Sequence, residues 1–183
     1  MCKQCEKNPV YEFTNKRKLC KGCFIEYFHK KIFYTIRRFD MIKKGEIVGY
    51  RNNEHLSDVV LKEILLLLSG KIDFKLIELP SKKINKTANN SCLDLNSILI
   101  VGSLINKKTS YLKKFLPVQG KTIKPLYLFL KEEILLYAQI KNLKFKKEEE
   151  KKNKIGFFID ELEKKHPEIK RATVNSILEL YKE

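Results

Sequence analysis

The sequence predicts an α/β protein in which a small module held by four cysteines precedes a parallel-sheet domain with flanking helices. Three observations predict it. Four of the five cysteines fall in two C-x-x-C pairs at the N-terminal end, short apolar runs alternate with helical patterns through the middle, and two amphipathic segments close the chain.

The cysteine pairs, Cys2 and Cys5 with Cys20 and Cys23, have the spacing C-x₂-C-x₁₄-C-x₂-C. Each pair suits a tight knuckle, and Val10 to Lys18 form a hairpin or loop that returns the second pair to the first. Four thiolates at tetrahedral corners are what structural Zn²⁺ takes, so these four residues are the expected zinc ligands. Directly after them, Phe24 to Phe39 (FIEYFHKKIFYTIRRF) places Phe24, Phe28, Ile32 and Ile36 at helical spacing, with basic residues mostly on other faces. Lys30, Lys31, Arg37 and Arg38 are the candidate phosphate contacts of that helix. Its basic side suits either a nucleic-acid backbone or simple solvation of a core-packing helix.

Gly45 opens a strand over Glu46 to Tyr50, and Arg51 to Ser57 (RNNEHLS) is polar and turn-like. Asp58 to Leu68 is a strong apolar helix that Ser69 and Gly70 end. A second strand, Phe74 to Leu79, stops at Pro80; Ser81 to Asn90 has no apolar period and reads as a loop. A helix follows from Leu93 to Asn106 with Ser91 as its expected N-cap. Thr122 to Phe129 reads as extended around Pro125. Lys131 to Leu143 is a helix whose Glu132 and Glu133 charge its positive first turn. Lys144 to Lys154 is a charged linker or helix extension, and Ile155 to Lys165 and Ile169 to Tyr181 are the closing helices. The expected organisation is therefore a finger at 1–24, a basic connecting helix at 25–44, an α/β domain at 45–143, and a charged linker with closing helices at 144–183.

Lys and Arg outnumber Asp and Glu by 38 to 22, a formal charge of +16. Four thiolates around one Zn²⁺ lower this by about 2 and leave a strongly basic chain, which favours polyanions. No signal-type apolar segment opens the sequence and no run of about 20 apolar residues occurs in it. The chain thus reads as soluble, without a membrane partner, and cytoplasmic, a compartment where reduced thiols favour metal over disulfides. The three histidines, His29, His55 and His166, stand apart and read as surface or packed residues. Cys92 reads as a small buried apolar group.

The order of a four-cysteine finger, a basic helix ending in IRRFDMIKKGEIV, and then strand, loop and helix resembles the tRNA 2-thiolation family. That family comprises the TtuA-type PP-loop enzymes, their eukaryotic cytosolic counterparts and the non-catalytic cytoplasmic tRNA 2-thiolation protein 2. Ser91 to Ile105 is similar to its HNLDD-plus-helix segment, and Lys124 to Ala138 (KPLYLFLKEEILLYA) to its KPLR-x-x-x-E-x-E-x-x-x-YA segment. Phe158 to Pro167 is similar to its closing helix. The resemblance implies a reduced PP-loop domain of the adenine nucleotide alpha hydrolase-like kind.

The departures are specific. Where the family has SGGKDS, whose glycines bring backbone N–H groups to ATP phosphates, this chain has RNNEHLS, and only Ser57 keeps its place. Side chains and the charge of Glu54 enter the phosphate position, which weighs against ATP binding. The mid-domain C-x-x-C is missing, as is the cysteine before the closing helix, and Leu95 replaces the second aspartate of HNLDD. The resemblance therefore implies a non-catalytic subunit in 2-thiolation of wobble uridine in cytosolic tRNA, binding tRNA and a catalytic PP-loop paralogue as a heterodimer. An independent zinc-finger RNA-binding or ribosome-associated protein, and a divergent tRNA sulfurtransferase, are the alternatives.

Overall fold

In the computed structural model, which describes residues 1–147 and 154–181, a minimal antiparallel hairpin joins the cysteine pairs. Its strands are β1 (Tyr11–Glu12) and β2 (Lys18–Leu19), with Tyr11 opposite Leu19. The turn closes where the Lys16 N–H donates to the Phe13 carbonyl at 2.8 Å, with Lys16 in left-handed geometry (φ 64°). Helix α1 (Lys21–Arg38) begins earlier than the expected Phe24, inside the second cysteine pair. Cys20 sits at its N-cap, and the Cys20 carbonyl accepts the Phe24 N–H at 2.8 Å. Phe24, Phe28, Ile32 and Ile36 are all buried, so the apolar stripe faces the core as its spacing predicts.

Strand β3 (Ile47–Tyr50), helix α2 (Leu56–Ser69) and strand β4 (Lys75–Glu78) form a parallel unit with Val48 opposite Leu76. The stretch expected to be a loop then contains a third parallel strand, β5 (Lys86–Ala88), which pairs with the other side of β3. Its side chains hide it in the sequence. Ala88 is the one buried residue, while Lys86 reaches the Met41 carbonyl at 2.9 Å and Glu46 at 3.1 Å. The link from β4 to β5 passes over the middle of β3, where Gly49 makes room. A Cβ at Gly49 would lie 2.9 Å from Leu79 Cδ2 and 3.2 Å from Ile84 Cγ2.

Helix α3 (Leu93–Ile105) starts at an N-cap occupied by Cys92, not Ser91. The Ser91 N–H instead donates to Asn89 Oδ1 at 2.8 Å, and the first helical N–H, that of Leu93, finds the Phe129 carbonyl at 2.9 Å. A packed backbone carbonyl thus does the work expected of a capping hydroxyl. A 3-10 segment (Thr109–Phe115) leads to β6 (Val118–Gln119) and β7 (Thr122–Ile123). Only those two residues of the expected Thr122–Phe129 extension pair as strand, because the Tyr127 N–H bonds the Lys124 carbonyl and closes a turn after Pro125. The sheet order is β4-β3-β5-β7-β6, parallel throughout except for the antiparallel edge strand β6. Helix α4 (Lys131–Ile140) ends before the expected Leu143, and α5 (Lys154–Lys165) and α6 (Ile169–Leu180) complete the fold. Residues 148–153 of the expected linker lie outside the described residues.

One buried cluster runs without a break from Cys2, Leu19 and Cys20 through α1 and α2 to Tyr137 and Ala138. A second, around Leu93, Ile100 and Tyr127, packs α3 against α6. The finger and the sheet domain therefore share a core. No helix among the described residues is long and apolar enough to cross a membrane.

Candidate metal centre and nucleic-acid interface

The four N-terminal cysteines converge, with every pair of Sγ atoms within 4.8 Å; Cys5 and Cys20 are 3.3 Å apart, and Cys5 and Cys23 3.6 Å. The first knuckle is tightened by the Glu6 N–H on the Cys2 carbonyl at 3.0 Å, and the Lys3 N–H ties it to the Lys18 carbonyl at 3.1 Å. Backbone N–H groups, that of Gln4 foremost, draw the Cys2 thiol down to about 6, whereas its cysteine neighbours, Cys5 foremost, push Cys23 up to about 12. Four thiols this close cannot all ionise unless a cation joins them. Ligands about 2.3 Å from one tetrahedral ion stand about 3.8 Å from each other, a spacing these sulfurs match. A four-iron cube carries its thiolates on four separate irons and needs them spread farther apart. The cluster can therefore hold one metal ion.

The basic helix divides differently from its sequence reading. Lys30, Arg37 and Arg38 are exposed, and Arg38 donates to the Tyr34 hydroxyl at 3.3 Å. Lys31 is turned inward: its side chain is 12% exposed and it reaches both carboxylate oxygens of Glu133 at 2.7 and 2.8 Å. The ammonium also lies 4.5 Å from the centre of the Phe129 ring. Its candidacy as a phosphate contact is corrected accordingly. The cause is helical geometry, since position 31 sits one turn from the buried Phe28 and faces the start of α4.

Glu133 does more than charge a first turn. Fully buried, it also accepts the Tyr27 hydroxyl at 2.7 Å and the Leu130 N–H at 2.8 Å, with Arg171 at 3.8 Å. Burial draws Lys31 down to about 8 against the opposing pull of Glu133, and burial beside the same carboxylate raises Tyr27 far above the ordinary phenol. Glu132, one residue earlier, accepts the Tyr11 hydroxyl at 3.0 Å and fastens the finger to α4.

Open α/β sheets bind ligands at the carboxyl ends of strands where the chain switches sides, here between β3 and β5. Carboxylates stand at that place in this chain. Asn90, beyond β5, donates to Asp58 in the first turn of α2 at 2.7 Å, so a buried carboxylate already occupies the positive end of the helix. In the preceding turn, Glu54 (φ 63°) pairs with Lys146 at 2.5 Å, and the Lys146 N–H donates to the Glu54 carbonyl at 2.7 Å. Cys92 is buried, and burial raises its thiol. His29 is half-buried against the Tyr137 hydroxyl at 3.0 Å.

No protein-family model and no curated protein matches the chain. Among solved structures, the U34-tRNA thiolase NcsA from Methanococcus maripaludis with its [4Fe-4S] cluster superposes with a TM-score of 0.80 and 19% identity. The match covers 100% of this chain and 88% of that one. The chain therefore has the α/β fold of that thiolase, the fold class its sequence predicts.

Proposed function

We propose that this protein is a non-catalytic subunit of tRNA wobble-uridine 2-thiolation in the cytoplasm, binding tRNA beside a catalytic PP-loop paralogue. The observation that carries the reading is a thiolase fold whose strand ends carry Asp58, hydrogen-bonded by Asn90, and Glu54, paired with Lys146. An anion meets two carboxylates there, not glycine amides and an open helix end. Sulfur chemistry lacks equipment as well, since Cys92 is the single cysteine outside the finger. The finger's ion is structural zinc, supported by four soft ligands and by sulfur spacings suited to one tetrahedral ion. What remains is a basic surface, with Lys30, Arg37 and Arg38 as phosphate contacts.

The test is native purification followed by assay of the isolated and the associated protein. A PP-loop paralogue and tRNA are expected in the purified material, with 2-thiouridine formation only when the paralogue is present. ATP-dependent thiolation by the isolated chain would overturn the non-catalytic assignment. Recovery of ribosomal material alone would select an independent RNA-binding protein.

A further inference from the structure

A cleft of about 310 Å³ lies between the finger and α1, and we propose that it receives one unstacked nucleotide of single-stranded RNA. The inference rests on the RNA-binding reading above and assigns it a site. The finger contributes Gln4 and Arg17 to the lining, and α1 contributes Glu26, Tyr27, Lys30 and Tyr34. The volume is at the small end of ligand pockets, the size of a base with its sugar.

Both halves of a nucleotide find chemistry here. Tyr27, Lys30 and Tyr34 recur at successive turns of α1 and so share one face. Tyr34 is 46% exposed, a large aromatic face open to solvent, with the Arg38 guanidinium 5.8 Å from its centre. Tyr27 is engaged at its hydroxyl by Glu133 and at its ring by Phe13, 4.9 Å away edge-on, with Arg17 and Lys31 at 5.8 and 5.5 Å from its centre, so it forms the wall of the cleft. The open ring of Tyr34 accepts any base by stacking. For the phosphate, Lys30 is exposed, and Arg17 lies 4.2 Å over the Phe13 ring, which fixes its guanidinium plane. Arg17 Nε is shielded from solvent and has no hydrogen-bond partner among the described residues. The guanidinium as a whole lines the cleft, and a phosphate oxygen is an acceptor that Arg binds well. The charge of Lys31 is matched by Glu133. Arg17 and Lys30 are then the cations a phosphate would meet, set against the metal-site thiolate of Cys23, which also lines the cleft, and against Glu26, whose carboxylate can accept a base N–H. The occupant is single-stranded because a duplex keeps its base faces covered.

The test uses the full metal-loaded chain and a fluorescent single-stranded oligoribonucleotide, compared with a duplex of the same sequence by anisotropy across a salt series. Tyr34→Ala is expected to weaken single-strand binding about tenfold. Its salt slope and duplex affinity should not change, and Tyr34→Phe should retain binding. Lys30→Ala should lower the single-strand salt slope by about 0.7. Photo-crosslinking through 4-thiouridine should mark Tyr27 or Tyr34. Single-strand binding that is indifferent to Tyr34→Ala and Arg17→Ala, with cross-links elsewhere, overturns the cleft and leaves the RNA-binding reading standing. Equal competition by a free nucleoside monophosphate would also overturn it, in favour of a small-molecule site. Absence of any RNA binding by the unmutated chain overturns both.

Discussion

Replacing Lys31 by Met separates folding from RNA recognition. The side chain keeps most of its apolar stem but loses the ammonium that sits 2.7 and 2.8 Å from Glu133. Glu133, 0% exposed, then retains the Tyr27 hydroxyl and the Leu130 N–H, while its nearest remaining cation, Arg171, is 3.8 Å away. Breaking a buried ion pair by removing one partner costs about 3–5 kcal/mol. The two surviving hydrogen bonds hold part of the carboxylate's stabilisation, which places the expected loss at about 2–3 kcal/mol. For a chain of this length that is a fall in Tm of roughly 5–10 °C. Calorimetry of the metal-loaded protein reads it, and the double substitution Lys31→Met with Glu133→Gln should recover much of the loss by removing the stranded charge. RNA affinity, measured well below the Tm, should stay within about twofold, whereas Arg37→Ala with Arg38→Ala should lower affinity and salt slope at unchanged Tm. The reasoning fails if Lys31→Met leaves Tm unaltered but weakens RNA binding with a reduced salt slope, because Lys31 would then be acting at a phosphate.

Metal analysis should find one zinc per chain, and cobalt exchange should give the visible absorption of a tetrahedral thiolate site; broad iron-sulfur absorption in the purified protein would refute the single-ion reading. Stripping the metal should unfold the hairpin, since a zinc of this kind contributes on the order of 10 kcal/mol to folding. Lys124 makes a separate prediction about pH. It is 7% exposed, its ammonium meets the neutral oxygens of Lys114 (carbonyl, 3.1 Å) and Asn96 (3.5 Å), and burial draws it down to about 8. Below pH 8 both folded and unfolded chains carry the proton, and the folded state bears the cost of the buried charge. Between about 8 and 10.5 the unfolded chain holds the proton more tightly, so this group's contribution to stability rises by about 3 kcal/mol. Urea unfolding of the parent and Lys124→Met at pH 7 and pH 10 should show that rise flattened in the variant; parallel pH dependences would refute it.

The parts legible in the sequence are those where residue type and spacing meet one local requirement. Four cysteines at metal spacing, the Phe24–Ile36 stripe and the run before Gly70 are of this kind, and each appears where expected. The parts that were not legible depend on which element arrives opposite. A helical period places Lys31 near the edge of the buried face, but only the fold brings Glu133 to it from 102 positions away. Strand β5 escaped because the backbone of β3 and β7, not its own side chains, holds Lys86–Ala88 in the sheet. Arg17 lies in a hairpin turn and Tyr34 on a helix, so no stretch of sequence announces their cleft. The alternation of Tyr27, Lys30 and Tyr34 was the available signal, and on its own it reads equally well as an ordinary solvated face.

The finger is bound to the body by its far end as well as its near one. Tyr11 meets Glu132 across 121 positions, and Thr14 meets Glu168 across 154. During synthesis its four ligands emerge before the body and can close on metal while the body is still being made. Its docking partners on α4 and next to α6 are made 121 and 154 positions later. Metal loading and docking are thus separated in time, and a nascent chain carries a closed finger before Glu132 and Glu168, the residues that fasten it, have been made.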